Sequence, residues 1–508
     1  MPSFAKKVAR NTGLLYFRLG ITVFVSLYTT RIVLGVLGVS DYGIYSLVCG
    51  TIALLGFFNA SLSASTQRYL SYAEGKQEEM EKKVIFNVSV VLHFCLSIFL
   101  ILIFSLAGLF FFSGFLNIPE GREKAAVIIY GSLVVSTILT VMSVPYVAVL
   151  NAHENFKYYA VVGIFESILK LIVAFICIIT VGDKLVIYGI LMSIIPLLLI
   201  IVMRFYCHRH YEECFFSPKL FYNKYTARDM TSFAGWNLIN SFFTISTLQG
   251  VAVLLNYYGG VVVNTAHGIA NQLSGQAMSF SNTMLKALNP ALVKSYGSGN
   301  VDLMLMAAET GNKLSFACFS IFAIPFIIEA PTLISLWLNQ VPVWAVLFCR
   351  LVFVRQMISQ TYVTFGTCIN ATGDIKTFTI VSSILWMLTM IIGIIMYEMS
   401  APIYTIYLLL ICLAFIRGIV FLFFCHKKCG LDVELYIRKS FIPMFMVTSL
   451  MMSLFLVDFI YSPTLLRCVL VFVVAFICFP ILFYQLVLNK LEKEQMMNVL
   501  KAILIKVK

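Results

Sequence analysis

Apolar runs of about 20 residues, long enough to cross a bilayer as a helix, recur along the whole chain between short polar turns. About 14 such windows can be placed by this criterion. They fall near 11–37, 41–68, 84–112, 125–150, 157–181, 184–206, 230–257, 261–287, 312–336, 343–370, 376–399, 402–425, 439–460 and 463–489. None alternates polar and apolar positions in the manner of an outer-membrane barrel strand. The pattern predicts an all-α polytopic membrane protein. Its first window lacks an A-x-A-like exit and reads as a retained span rather than a cleaved signal peptide.

Four short landmarks occur twice, in the same order and roughly 220 residues apart, the sign of a duplicated unit. Ser71-Tyr72-Ala73-Glu74-Gly75 matches Ser295-Tyr296-Gly297-Ser298-Gly299, and Phe115-Leu116-Asn117 matches Trp337-Leu338-Asn339. Asn151-Ala152 with Lys157 matches Asn370-Ala371 with Lys376, and Tyr206-Cys207-His208 matches Phe424-Cys425-His426. An even number of spans per unit makes the two halves parallel repeats. The expected organisation is an N-lobe over 1–206 (spans 1–6), a cytoplasmic linker over 207–229 and a C-lobe over 230–425 (spans 7–12). Two extra transmembrane helices follow over 426–490, then a cytoplasmic amphipathic tail over 491–508 in which Leu491, Met496, Met497, Leu500 and Leu504 alternate with lysines.

Composition excludes a water-soluble protein: of 508 residues 60% are hydrophobic and 12% charged, with a mean hydropathy of +0.94. The net charge of +13 does not point to nucleic acid. By topology, roughly 25 lysines and arginines fall on the side holding both termini and about 4 (Arg122, Lys124, Lys184, Arg467) on the other, which predicts cytoplasmic termini. The 13 cysteines lie within spans or on the cytoplasmic side and imply no disulfide framework. There is no Walker P-loop, no Gly-rich nucleotide loop and no H-E-x-x-H, so neither an enzyme nor a cofactor is expected.

Polar side chains are costly in lipid and face partner helices or water. Asn237, Asn240, Ser241, Thr244 and Thr247 share one face of span 7, and Asn264, His267, Gly268, Asn271, Gly275 and Asn282 mark span 8. Span 2 carries Asn59, Ser63, Thr66, Gln67 and Arg68, and span 1 carries Arg18 and Arg31. The first two helices of each half are thus the polar ones, as expected of a hydrated central cavity; interhelical hydrogen bonding is the alternative. Arg18, Arg31, Arg350, Arg355 and Arg417 outnumber the carboxylates within spans, so the passage is expected to be electropositive and suited to a phosphate, which a guanidinium binds bidentately. On a straight helix Arg18 and Arg31 lie about 140° apart, as do Arg350 and Arg355, so one of each pair need face the cavity. Glu166 and Lys170 form either an i, i+4 structural pair or a titrating element for ion coupling. His267 either titrates near neutral pH or simply hydrogen-bonds. Cys207, His208, His210 and Cys214, with Cys425, His426 and Cys429, have zinc-ligand chemistry but no standard zinc spacing, and no metal is assigned.

The run Asn11-Thr12-Gly13, then Arg31-Ile32-Val33-Leu34-Gly35 leading into Gly38-Val39-Ser40-Asp41-Tyr42-Gly43-Ile44-Tyr45, resembles the polysaccharide flippases of the multidrug/oligosaccharidyl-lipid/polysaccharide exporter superfamily, the O-antigen and capsule type. The resemblance implies a multi-pass protein of the bacterial inner membrane that alternates between inward- and outward-facing forms. Its implied substrate is an undecaprenyl-pyrophosphate-linked oligosaccharide, with the lipid tail left in the bilayer. Arg18, Arg31, Arg68 and Arg355 would hold the pyrophosphate, and Asn59, Asn237, Asn240, Asn264, His267 and Asn271 would line the glycan path. Polysaccharide polymerases or glycosyltransferases are the implied partners. A lipid II flippase is the alternative. A multidrug antiporter fits less well, because it usually needs an acid in span 1, where this chain has arginines. A membrane glycan polymerase or ligase is disfavoured by the short outer loop near 113–124.

Overall fold

Each apolar window becomes a helix because backbone groups in a bilayer can only be satisfied within the segment itself. The structure, a computed structural model, describes residues 2–53, 56–115, 121–338, 341–456, 464–494 and 496–497. Among these residues there are helices and turns and no strand. Leu116, Asn117 and Asn339 of the second landmark pair, and the tail beyond residue 497, lie outside the described residues.

The helices are α1 (Pro2–Ala53), α2 (Gly56–Lys76), α3 (Glu79–Phe110), α4 (Glu123–Ala152), α5 (Phe156–Ile179), α6 (Lys184–His210) and the short α7 (Pro218–Phe221). After them come α8 (Lys224–Gly297), α9 (Val301–Trp337), α10 (Ala345–Gln360), α11 (Val363–Thr372), α12 (Lys376–Glu398) and α13 (Thr405–Cys429). The chain ends with α14 (Val433–Tyr436), α15 (Ile442–Met452) and α16 (Leu465–Leu486). Ten helices among the described residues are long and apolar enough to cross a membrane. The other four windows are the polar or interrupted ones: 261–287 is the polar part of α8 beyond the break at Gly260, 343–370 is cut into α10 and α11 at Thr361–Tyr362, and 41–68 and 439–460 run across undescribed residues. Side-chain caps start several helices, with Asn155 accepting from Tyr158 N–H, Asp183 from Leu185 and Val186, and Asn300 from Leu303.

α3 shows how the helices are built for lipid. Phe94, Ile98, Leu102, Leu106 and Leu109 form an exposed apolar stripe, while Asn87, Ser89, His93 and Ser97 are buried. The polar face points into the protein, where Thr66 and Ser89 hydroxyls bond at 3.0 Å and His93 Nδ1 bonds to the Ser89 carbonyl at 2.8 Å. Lipid takes the apolar face; helix neighbours take the rest.

The duplication is visible in the backbone. α1 breaks at Gly38 (φ 76, ψ 170) and α8 breaks at Gly260 (φ 76, ψ −177), a conformation open essentially only to glycine. Left-handed residues recur at the same offset of about 220 residues: Gln77 with Gly299, Gly121 with Trp344, Glu154 with Gly373, and Gly182 with Ser400.

Two compact units result, and each is described by itself. The first spans Asn11–Leu238; the second is built from Ile239 onward with the residues before Asn11. In the first, Phe86, Val149, Leu150 and Cys207 form a core with Ala227 and Met230 from the start of α8, and Ser65 donates to the Met230 carbonyl at 2.8 Å. At one end Arg122 clasps Asp41 (Nε–Oδ1 2.9 Å) and Asp183 (2.8 Å), tying α1, α4 and the start of α6. At the end expected in the cytoplasm, His153 bonds Glu213 at 2.5 Å and Glu74 at 3.3 Å and stacks on Tyr211, while Lys82 bonds Glu74 at 2.9 Å and Glu79 at 2.6 Å.

In the second unit α16 and α15 pack on α9 around Phe319, Ile324, Met444, Val447, Ala475 and Phe479. Two buried ion pairs fasten them. Arg467 meets Glu329 at 2.8 Å, with Thr332 donating to the same carboxylate, and Lys313 meets Glu492 at 2.9 Å. Arg467 and Lys313 are thus both buried within ion pairs.

Among the described residues nothing lies within 4 Å of a Cβ added at Gly38 or Gly260, so the demand for glycine there is conformational. Gly260→Ala is expected to lower thermal stability of the detergent-purified protein by about 1–3 kcal/mol. Gly20→Ala, equally unobstructed but in ordinary helix, should not lower it.

Burial pushes the His153 imidazole down, yet its bonds to Glu213 and Glu74 outweigh that and hold it up at about 9. Burial likewise pushes the Glu213 carboxyl up, and the His153 bond more than reverses it, leaving it below its ordinary value. The His153 contribution is full below its unfolded value of about 6.5 and is lost as pH rises through about 9. The Glu213 contribution is full above about 4.3 and is lost as pH falls through its lower folded value. Stability should therefore decline between about pH 6.5 and 9. His153→Gln is expected to lower the melting temperature at pH 6 and flatten that decline, as read by unfolding scans across pH.

Candidate functional site

The embedded arginines divide by what they touch. Arg350 Nε donates to the Ile327 carbonyl at 2.8 Å and its NH2 to Ile328 at 3.2 Å, with the guanidinium 4.9 Å from the Phe455 ring centroid. The cause is local: Pro331 has no N–H to offer the carbonyl four residues back, and α9 departs from helical geometry at Glu329 (φ −95, ψ 17). Arg350 fills the gap. Its guanidinium is held by backbone carbonyls, whereas the neighbouring Arg355 lines a cavity.

Arg355 lines a cavity of about 240 Å³ inside the second unit, together with Thr244, Gln356, Ser359, Trp386, Thr389 and Arg417. Among the described residues no carboxylate lines it. Arg417 lies over Trp386, 4.3 Å from the ring centroid. The Nε atoms of Arg355 and Arg417 and the Trp386 indole N–H are buried without a hydrogen-bond partner. Sequence reasoning marked Arg417 as embedded but left it out of the site, and it missed Trp386. Nothing in the periodicity of α12 or α13 says that these two side chains meet.

Nearby in the same unit His267 bonds the Tyr407 hydroxyl at 2.6 Å through Nδ1 and the Asn271 amide at 2.9 Å through Nε2, within electrostatic reach of Arg355. His267 thus has both nitrogens occupied. Asn240 has a buried, unpartnered side-chain oxygen, and Asn264 is half-buried. Ser281, Ser315 and Gln360 bond one another at 2.5–3.0 Å, so part of the polar stripe is interhelical glue.

In the first unit Arg18 is half-buried, with its guanidinium 4.5 Å from the Tyr159 ring centroid and pressed against the backbone of Gly163 on α5. Only a residue without Cβ admits it. Arg31, on the same helix, is exposed, as the angular separation from Arg18 requires. Arg68 sits among Tyr69, Tyr72 and Phe233 at 4.5, 5.1 and 5.6 Å. Asn59 has a buried side-chain oxygen without a partner, and Asn237 donates to the Phe233 carbonyl at 3.0 Å. Glu166 and Lys170 form the i, i+4 ion pair at 2.6 Å. The cysteine–histidine groups do not converge. His208 and His210 donate to carbonyls four residues back, His426 bonds the Leu431 carbonyl, and no three candidate ligands cluster among the described residues.

No family model matches the chain, and no curated protein matches it in sequence. Solved structures do match in fold. An outward-facing multidrug resistance MATE family transporter of the MOP superfamily superposes with a TM-score of 0.72 at 13% identity, covering 84% of this chain and 96% of that one. MATE in its bent conformation gives 0.71 at 15% identity, covering 84% and 97%. A MOP superfamily transporter from Pyrococcus furiosus, for which reverse polarity of the binding pocket suggests a different function, gives 0.69 at 13% identity, covering 84% and 96%. The chain therefore shares the fold of these transporters, in a multi-pass membrane protein. The polysaccharide-exporter resemblance is a finer assignment than a shared fold carries.

Gly163→Ala is expected to push Arg18 off Tyr159 and lower stability by about 1 kcal/mol, the low end for an overpacked site because an arginine can swing away. In the double variant with Arg18→Ala the cost should vanish, a coupling that a double-mutant cycle on melting temperature reads directly.

Proposed function

We propose that the protein is a flippase that carries an undecaprenyl-pyrophosphate-linked oligosaccharide across the inner membrane by alternating access. The observation that supports this most is the sign of the embedded charge. The span Lys7–Gly38 contains Arg18 and Arg31 and no Asp or Glu. Glu166 and Glu329, the carboxylates that would neutralise embedded arginines, are already bound to Lys170 and Arg467. Arg18, Arg31 and Arg355 have no carboxylate partner among the described residues and suit a phosphorylated lipid head. In this reading Arg68 adds a further cation for the pyrophosphate, and the asparagines Asn59, Asn237, Asn240, Asn264 and Asn271, with His267, offer hydrogen bonds along the glycan path. Lipid II, whose head group is also a pyrophosphate, satisfies the same chemistry.

A second reading, multidrug export, is favoured by the solved neighbours, several of which are MATE transporters. Cationic drugs would need carboxylates where this chain offers guanidinium groups.

A strain lacking the gene distinguishes the readings. Accumulation of an uncrossed lipid-linked glycan, with loss of surface polysaccharide, is the expected result. Accumulation of the peptidoglycan precursor would transfer the assignment to lipid II, and drug sensitivity with normal glycan would sink both. On complementation, Arg18→Ala, Arg31→Ala and Arg355→Ala should each slow export about tenfold or more, as expected from losing a charge-assisted hydrogen bond of about 1.5–3 kcal/mol. Lysine at these positions should rescue only in part.

A further inference from the structure

Two guanidinium groups facing one cavity, with no carboxylate between them, are electrostatically incomplete. Each would cost several kcal/mol inside a membrane protein unless water or an anion meets it. The Arg355–Arg417 cavity is of this kind, and the donors around it sharpen the point. The hydroxyls of Thr244, Ser359 and Thr389 are spent, donating to the carbonyls of Asn240, Arg355 and Leu385 at 2.7, 3.1 and 3.1 Å. What remains unsatisfied is a set of N–H groups: the two arginine Nε atoms and the indole of Trp386, a side chain only 8% exposed. Cation–π contact with Trp386 offsets part of the Arg417 charge but leaves that Nε–H unpaired.

We propose that this cavity is an anion-binding site belonging to the second unit alone, and that its ligand is a phosphate-type oxyanion. Planar guanidinium forks match the paired oxygens of phosphate, and the Trp386 N–H supplies a neutral donor for a third. The volume of about 240 Å³ exceeds what a single water or halide ion fills, a water's share of the liquid being about 30 Å³. Four helices contribute: α8 through Thr244, α10 through Arg355, α12 through Trp386 and α13 through Arg417. An anion there joins helices that otherwise present like charges to one another. The site stands whether or not the glycan reading does, because its evidence is internal to one unit. Its oxyanion is either free in solution or the phosphate of a lipid.

The test uses the full-length protein purified in detergent at constant ionic strength, with binding followed by calorimetry and melting temperature. The probes are inorganic phosphate, pyrophosphate and undecaprenyl phosphate in mixed micelles. Binding of an inorganic probe, weakened about tenfold or more by Arg355→Gln and by Arg417→Gln, is the expected result for a soluble ligand. Binding of the lipid phosphate alone, with the same loss, assigns the site to a lipid head. Trp386→Phe should weaken either by a few-fold, the worth of one neutral hydrogen bond. Arg209→Gln, on the exposed end of α6, should leave binding unchanged. If a glutamine variant does not fold, Arg355→Lys carries the test, since it keeps the charge and loses the fork. Absence of binding by all three probes, or binding that survives every one of these cavity substitutions, overturns the proposal.

Discussion

A charged group carried into a bilayer must meet an opposite charge, a dipole or water inside the protein, and this requirement orders most of what the structure contains. Arg467 and Lys313 meet carboxylates and so fasten α16 and the following turn onto α9. Arg350 meets backbone carbonyls released by a proline and so stabilises a bend. Arg68 meets aromatic faces. Arg355 and Arg417 meet one another across a cavity. Basic residues carried on helices thus have four different fates.

The helices and the duplication were legible because both are one-dimensional signals. Apolar length marks a span, and a repeated turn marks a repeat. The pairing of Glu166 with Lys170 was legible for the same reason, being fixed by four residues of helix. Separating Arg350 from Arg355 was only half legible. Their angle showed that they point apart, but which one faced a cavity depended on Pro331 in another helix. Arg417 and Trp386 were illegible as a pair, because their meeting is a property of packing between α12 and α13. The directions of His208 and His210 were not legible, since each turns to the carbonyl four residues back once helical.

The fold and the charge tell different parts of the story. A TM-score of 0.72 at 13% identity means that helix order and packing persist while almost every side chain has changed. Substrate preference is written in the side chains, so the two arginines lining one cavity are informative where the frame is not. The left-handed turns show the same separation within the chain. Gln77 and Gly299, or Glu154 and Gly373, hold one backbone conformation with different residues.

The breaks at Gly38 and Gly260 have a bearing on biogenesis. Among the described residues an added Cβ would meet no atom at either position, so what glycine supplies there is its positive φ and not space. A corner specified in this way is available to the nascent polypeptide as soon as the flanking segments become helical. Each half would then enter the membrane with its first helical hairpin already turned, and later spans would assemble against a template that did not have to wait for them.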